Sequence, residues 1–194
     1  MEELKALDQL SEPDERQRFF VVRDTPFSPY RPMQASDIYE MAERTRLHPA
    51  VPDEVRSHFA MAQNLLAYSW YCYPFNVAAE LHAYISVEFA LRVRLAAPAS
   101  RNFQSLLKDA MSTGLITSSG FTYGRDPERQ VYPPNTQVPP RNAQVEDYAT
   151  TIAEAMRSLR NDLAHGTNML HMKGGTVLLV CSELINQLFE PRGV

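Results

Sequence analysis

Cysteine and glycine are scarce in this chain, and an excess of positive charge is missing altogether. The two cysteines, Cys72 and Cys181, stand far apart and fall in no CxxC or Cys/His ligand pattern. That spacing excludes a disulfide framework and a cysteine-based structural zinc site, and neither a metal nor a cofactor is expected. The formal net charge is -4 and the pI about 5.7. A general phosphate binder would be basic, so any contact with nucleic acid must come from a small local cleft. No apolar run approaches the roughly 20 residues of a membrane span. The N-terminal Met1-Glu-Glu-Leu-Lys-Ala lacks the basic-then-apolar order of a signal peptide. The expectation is a cytoplasmic protein with no membrane partner.

Fourteen prolines outnumber the seven glycines, and their clustering reads as punctuation between helices. Residues 1–50 are expected to form an N-terminal arm with a short helix. In that arm the segment Asp24 to Met33 is irregular, because Pro26, Pro29 and Pro32 each remove a backbone donor. Arg18-Phe-Phe-Val-Val-Arg23 is too short and too uniformly apolar to assign beyond extended or helical. Asp37 and Glu40 resemble a capping box opening a helix that runs to about Arg46. Residues 51–194 read as a helical bundle. Pro52-Asp53-Glu54 starts a long helix with the seam Val55, Phe59, Ala62, Leu66, Ser69, Tyr73, which Pro74 ends. Asn76 is the expected cap of the next helix, whose seam is Val77, Leu81, Tyr84, Glu88, Leu91, Leu95. Ser100 should cap a helix burying Phe103, Leu106, Leu107, Ala110 and Met111, with Gly114 ending it. The stretch 117–143, with Arg125, Arg129 and Arg141, has loop composition and reads as a solvated connector or a substrate-contacting flap. Asn142 is the expected cap of the following helix, with Glu146 and Asp147 in its first turn and Val145, Tyr148, Ile152, Ala155, Leu159 and Leu163 inward. A last helix from about Thr176 to Phe189 closes the bundle. The fold class is therefore all-α: an antiparallel helical bundle with an irregular N-terminal arm and a long inter-helix loop.

Chemistry concentrates in Ser158-Leu-Arg-Asn-Asp-Leu-Ala-His-Gly166, where a helix ends. Asn161 lies about 200° around the helix from Leu159, and Arg157, Asn161 and His165 recur at intervals of four, giving a polar line on the outer face. Arg160 sits on the shoulder between that line and the core. Glu88 is a carboxylate in a core-facing seam, which demands a cationic partner. Arg92, one turn on, and Arg160 are the candidates. His165 occupies the last turn, where the negative dipole end favours an imidazolium. An arginine to bind phosphate, an amide to orient a group and a histidine to move a proton suit phosphodiester chemistry, and RNA carries its own 2'-hydroxyl nucleophile. On the residues alone the same line also reads as a merely solvated helix face. His48 and His171 read as exposed bystanders, and His58 and His82 as packed beside aromatic residues. The aromatic cluster Tyr68, Trp70, Tyr71, Tyr73 and Phe75 reads as packing in preference to base stacking.

Taken together, Arg160, Asn161 and His165 at the end of a late helix, with the glutamate-bearing helix Val87-Glu-Phe-Ala-Leu-Arg-Val-Arg-Leu95, resemble the HEPN family. These are small helical-bundle domains of prokaryotic toxin–antitoxin and defence systems. The resemblance covers about residues 54–190. It implies a homodimer in which two motif helices meet in one composite cleft. Arg160 would bind the scissile phosphate, His165 would act in proton transfer or leaving-group stabilisation, and Asn161 would orient them, with Glu88, Arg157 and Arg92 in support. It implies a metal-independent endoribonuclease leaving a 2',3'-cyclic phosphate and a 5'-hydroxyl, with an antitoxin or defence-system protein as a further partner. Thr167 stands where some members carry a tyrosine, so silencing by modification of that tyrosine is not implied. The alternative implied by the same family is a non-catalytic module that binds RNA or a partner protein.

Overall fold

Helices α1 to α4 begin where a proline, an acid or an amide can satisfy or replace the free backbone donors of the first turn. The computed structural model describes residues 4–122, 148–165 and 170–191. Outside them lie the expected Asn142 cap with Val145, Glu146 and Asp147, the loop arginines Arg125, Arg129 and Arg141, and Gly166 and Thr167. Among the described residues the protein is mostly helical: α1 (Ala35–Glu43), α2 (Asp53–Tyr68), α3 (Phe75–Leu95), α4 (Phe103–Ser112), α5 (Tyr148–Ala164) and α6 (Gly174–Phe189).

Helix α2 follows Pro52, with Asp53 and Glu54 in its first turn. Its expected seam is fully buried, Ser69 and Tyr73 included. The helix stops at Tyr68, before Pro74 can act, because Cys72 N and Tyr71 N both turn back to Tyr68 O and the chain continues as tight turns. Helix α3 starts at Phe75, so Asn76 is not its cap; it lies buried in the first turn and donates to Tyr73 O. Helix α3 packs against α2, α4, α5 and α6. The small residues Ala79, Ala83 and Ala90 let neighbours approach closely, and Val77, Leu81 and Leu95 of the expected seam end up only half-buried.

Asn102, two residues beyond the expected Ser100, caps α4 by accepting from Ser105 N at 2.9 Å. Gly114, with φ +67°, provides the left-handed turn that ends it. The described start of the 117–143 stretch is not a free loop. It forms a single 3-10 turn, Ser118–Gly120, held when Thr117 N donates to Gln187 Oε1, and Phe121 behind it is buried edge-on to Tyr148.

The arm also departs from expectation. The region after residue 20 is a hairpin in which β1 (Val21–Val22) pairs antiparallel with β2 (Arg31–Pro32). Pro32 is tolerated because a two-stranded sheet has only edges. Residues 4–10 of the arm hold only a 3-10 turn, Leu7–Gln9. Helix α1 opens on Gln34, whose N–H donates to Asp37 Oδ2 at 2.7 Å, so Asp37 is the partner acid and not the cap. Met33, Ile38 and Ala42 join the residues of α2 to α6 in one hydrophobic core.

Candidate functional site

The inner line of α5 is Ala149, Met156 and Arg160, not the apolar stripe expected from periodicity. Ala149 and Met156 are its buried residues. Arg160 falls about 20° from Ala149 in helical projection, so its side chain runs inward to α3. The stripe Tyr148, Ile152, Ala155, Leu159 and Leu163 lies to one side, and Leu159 remains 46% exposed. The physical reason is that α5 sits at the edge of the bundle, where a narrow line of small and flexible side chains fills the contact with α3 and α4.

Glu88 receives that arginine. It is 9% exposed, and its Oε2 accepts from Arg160 Nη2 at 3.1 Å while its Oε1 accepts from Arg92 Nη2 at 2.5 Å. Both candidate partners are therefore used at once, one on each oxygen. Arg92 Nη2 also reaches Arg101 O at 3.2 Å and Ala99 O at 3.5 Å, tying the α3 terminus to the turn before α4. Two guanidiniums share one carboxylate, leaving a local charge of about +1 in a protein whose net charge is -4. Arg160 keeps about a third of its side chain in solvent, and its Nη1 is 3.4 Å from Asn161 Oδ1.

The structure thus joins Glu88, Arg92, Arg160 and Asn161. It does not bring Arg157 or His165 into that cluster. Both are exposed. His165 N donates to Asn161 O at 3.0 Å, as the helix ladder requires. Arg157 instead looks onto a groove of about 120 Å³ between α4 and α5, shared with Lys108 and Glu154.

Sequence reading missed the surroundings of two histidines: His48, expected to be an exposed bystander, is half-buried, with its backbone N–H donating to Asn186 Oδ1 at 3.0 Å and its Nε2 2.9 Å from Asn186 O on α6. His171, expected to be a bystander, has Nδ1 3.1 Å from Oε1 of Glu80, which is buried on α3, although the two are not aligned for a hydrogen bond. Burial pushes the Glu80 carboxyl up to about 7, against the pull of Lys173. Burial, then Lys173, push the His171 imidazole down. Burial, and then Glu80, push the Cys181 thiol up. The signal was present in the sequence: Glu80 lies one turn before the seam residue Tyr84, as Glu88 lies one turn after it. His58 and His82 are indeed packed, with rings stacked at 4.7 Å. Ser86 Oγ donates to His82 O, so His58 Nδ1 is the donor to Ser86 Oγ. Burial, and then His82, lower the His58 pKa.

No helix among the described residues is long and apolar enough to cross a membrane. No protein-family model matches the chain, and no curated protein or solved structure was found to be similar to it.

Proposed function

We propose that this chain is a metal-independent endoribonuclease of the HEPN kind that works in the cytoplasm as a homodimer on RNA. The observation that carries the reading is the Glu88 clamp. The arginine of the motif is held at the surface by a buried carboxylate, with the Asn161 amide against it, instead of ranging through solvent. A preorganised guanidinium with free N–H groups is the part that phosphate binding needs most.

In the reaction, the 2'-oxygen attacks phosphorus, the 2'-O–P bond forms and the P–O5' bond breaks. The 2'-hydroxyl proton goes to a base, and the departing 5'-oxygen takes a proton from an acid. A neutral imidazole can do the first and an imidazolium the second. One chain offers one His165, and two protomers with adjacent motif helices offer both. Supporting that assembly is the partly exposed apolar side of α5, where Ile152, Ala155 and Leu159 border a groove of about 200 Å³ with Tyr148, Thr176 and Val177. Arg160 would then bind the scissile phosphate, Asn161 would orient the reacting groups, and Arg157 would meet a neighbouring phosphate. An antitoxin or defence-system protein is a further partner of this reading.

The second reading is a non-catalytic module that binds RNA or a partner protein. It is favoured by the net charge of -4 and by a His165 side chain with no hydrogen bond or ion pair among the described residues. Product analysis separates the two. Mass spectrometry of RNA incubated with the protein should find 2',3'-cyclic phosphate and 5'-hydroxyl ends. Intact RNA, or 5'-phosphate ends, would reject this chemistry.

A further inference from the structure

The outer face of the β1–β2 hairpin is more apolar than the fold requires. Phe20 and Val22 turn inward, where both pack on the core, while Val21 and Arg23 turn outward, and Phe19, which ends the 3-10 turn Glu15–Phe19 before the strand, is exposed as well. Continuing the register Val22↔Arg31 puts Arg23 opposite Tyr30, and the guanidinium lies over the Tyr30 ring at 3.9 Å. Arg18 covers Phe19 in the same way at 4.8 Å. Phe19 is 69% exposed, Tyr30 62%, and Phe27, at the tip beside the Thr25–Ser28 turn, 98%.

These rings do not belong to a loose tail. Asp14 N donates to Trp70 O at 2.9 Å, Asp14 Oδ2 accepts from Tyr73 N at 2.9 Å, and Gln17 Nε2 donates to Ser69 O at 2.9 Å. Burial pushes the Asp14 carboxyl up, but the Arg16 side chain and the Tyr73 and Arg16 amides carry it down to about 2, so it stays ionised in this anchor. Phe20 stacks on Tyr73 at 5.8 Å. Beyond the anchor, Arg31 is neutralised by Asp24 and Asp37. Arg18 and Arg23 have no carboxylate partner among the described residues.

We propose that this face docks single-stranded RNA, with Phe19, Phe27 and Tyr30 stacking on bases and Arg18 and Arg23 meeting phosphates. The inference rests on RNA being the ligand of the Arg160 site. Stacking on a base needs no broad basic surface, which reconciles RNA binding with a net charge of -4. Aromatic residues and arginine also fill protein interfaces. The pairing of exposed rings with guanidiniums that lack a carboxylate favours the anionic, ring-bearing ligand. The hairpin anchor at Tyr73 and the Glu88 clamp stand at the two ends of one stretch of α3, Phe75 to Glu88, about 20 Å along the helix axis, a length that several nucleotides of the roughly 4–16 in a single-strand site can span.

The test is fluorescence anisotropy with a 2'-O-methyl pyrimidine strand of roughly 12 nucleotides, which cannot be cleaved. A Phe27→Ala/Tyr30→Ala variant should bind at least about thirtyfold more weakly with an unchanged Tm. An Arg18→Gln/Arg23→Gln variant should flatten the dependence of log Kd on log salt by about 1.4. Equal affinity of parent and variants for the strand would overturn the hairpin inference and leave RNA as the ligand of the Arg160 site. No binding by the parent would overturn both. Unchanged RNA affinity with lost self-association in sedimentation would assign the face to a second copy and overturn the inference.

Discussion

Replacing Glu88 by glutamine removes the carboxylate that Arg92 and Arg160 share, leaving two guanidiniums facing a neutral amide. Charge-assisted hydrogen bonds contribute about 1.5–3 kcal/mol each when buried. The side chains of Arg92 and Arg160 are 27% and 34% exposed, so water recovers part of that, and about 2 kcal/mol in total is the expected loss. For a chain of this size that lowers Tm by about 4–8 °C. The loss should not divide evenly. Arg92 retains the Ala99 and Arg101 carbonyls, whereas Arg160 retains only the 3.4 Å contact with Asn161. Urea unfolding of Glu88→Gln, Arg160→Gln and the double variant should therefore give a coupling of about 1 kcal/mol, with wild-type m-values. Additivity to within about 0.3–0.5 kcal/mol would show that the pair does not hold Arg160, and the reasoning for a preorganised phosphate ligand would fail with it.

Glu80 titrates in the folded protein at about 7 instead of 4.5, so the folded state keeps a proton that the unfolded state has released. The stability this provides is full below about pH 4.5 and is lost as the pH rises to about 7. Glu80→Gln should therefore gain on the parent across that window, by on the order of 3 kcal/mol, and then run parallel to it. His171 is present in both proteins and largely cancels from the difference; a pH-independent offset in thermal melts would contradict the assignment. On the proposed homodimer, Leu159→Glu, at an exposed apolar position of α5, should give a monomer in sedimentation velocity that keeps its helical circular dichroism and whose Tm no longer depends on protein concentration; an unchanged sedimentation coefficient would remove α5 from the interface.

Much of the bundle was legible because periodicity and caps agree. Val55, Phe59, Ala62 and Leu66 repeat at helical spacing behind Pro52, and all four are buried. Periodicity failed where a helix has more than one neighbour or nearly none. Helix α3 is packed from several sides, so its small residues Ala79, Ala83 and Ala90 carry the core and no single seam describes it. Helix α5 is at the edge, so its fully buried line is set by two small or flexible residues and an arginine stem, while the expected stripe is only partly covered: Tyr148, Ile152 and Leu163 pack against the core and Leu159 stays exposed. The Glu88–Arg160 contact was still legible, because a carboxylate in a seam has to be paired whatever the packing. Glu80 obeys the same rule, but its partner His171 lies 91 positions on, beyond α5, and no local spacing links them. The hairpin was only half legible: Arg18 to Arg23 is short and uniformly apolar, so an extended and a helical reading fit it equally, and the choice is made by the cross-strand partners Arg31 and Pro32.

The most direct test of the account is RNA decay in EDTA by the wild-type protein beside Arg160→Ala and His165→Ala, each verified as folded by circular dichroism. The account predicts cleavage by the parent and losses of about 100-fold or more in both variants. Equal decay with all three proteins would contradict it.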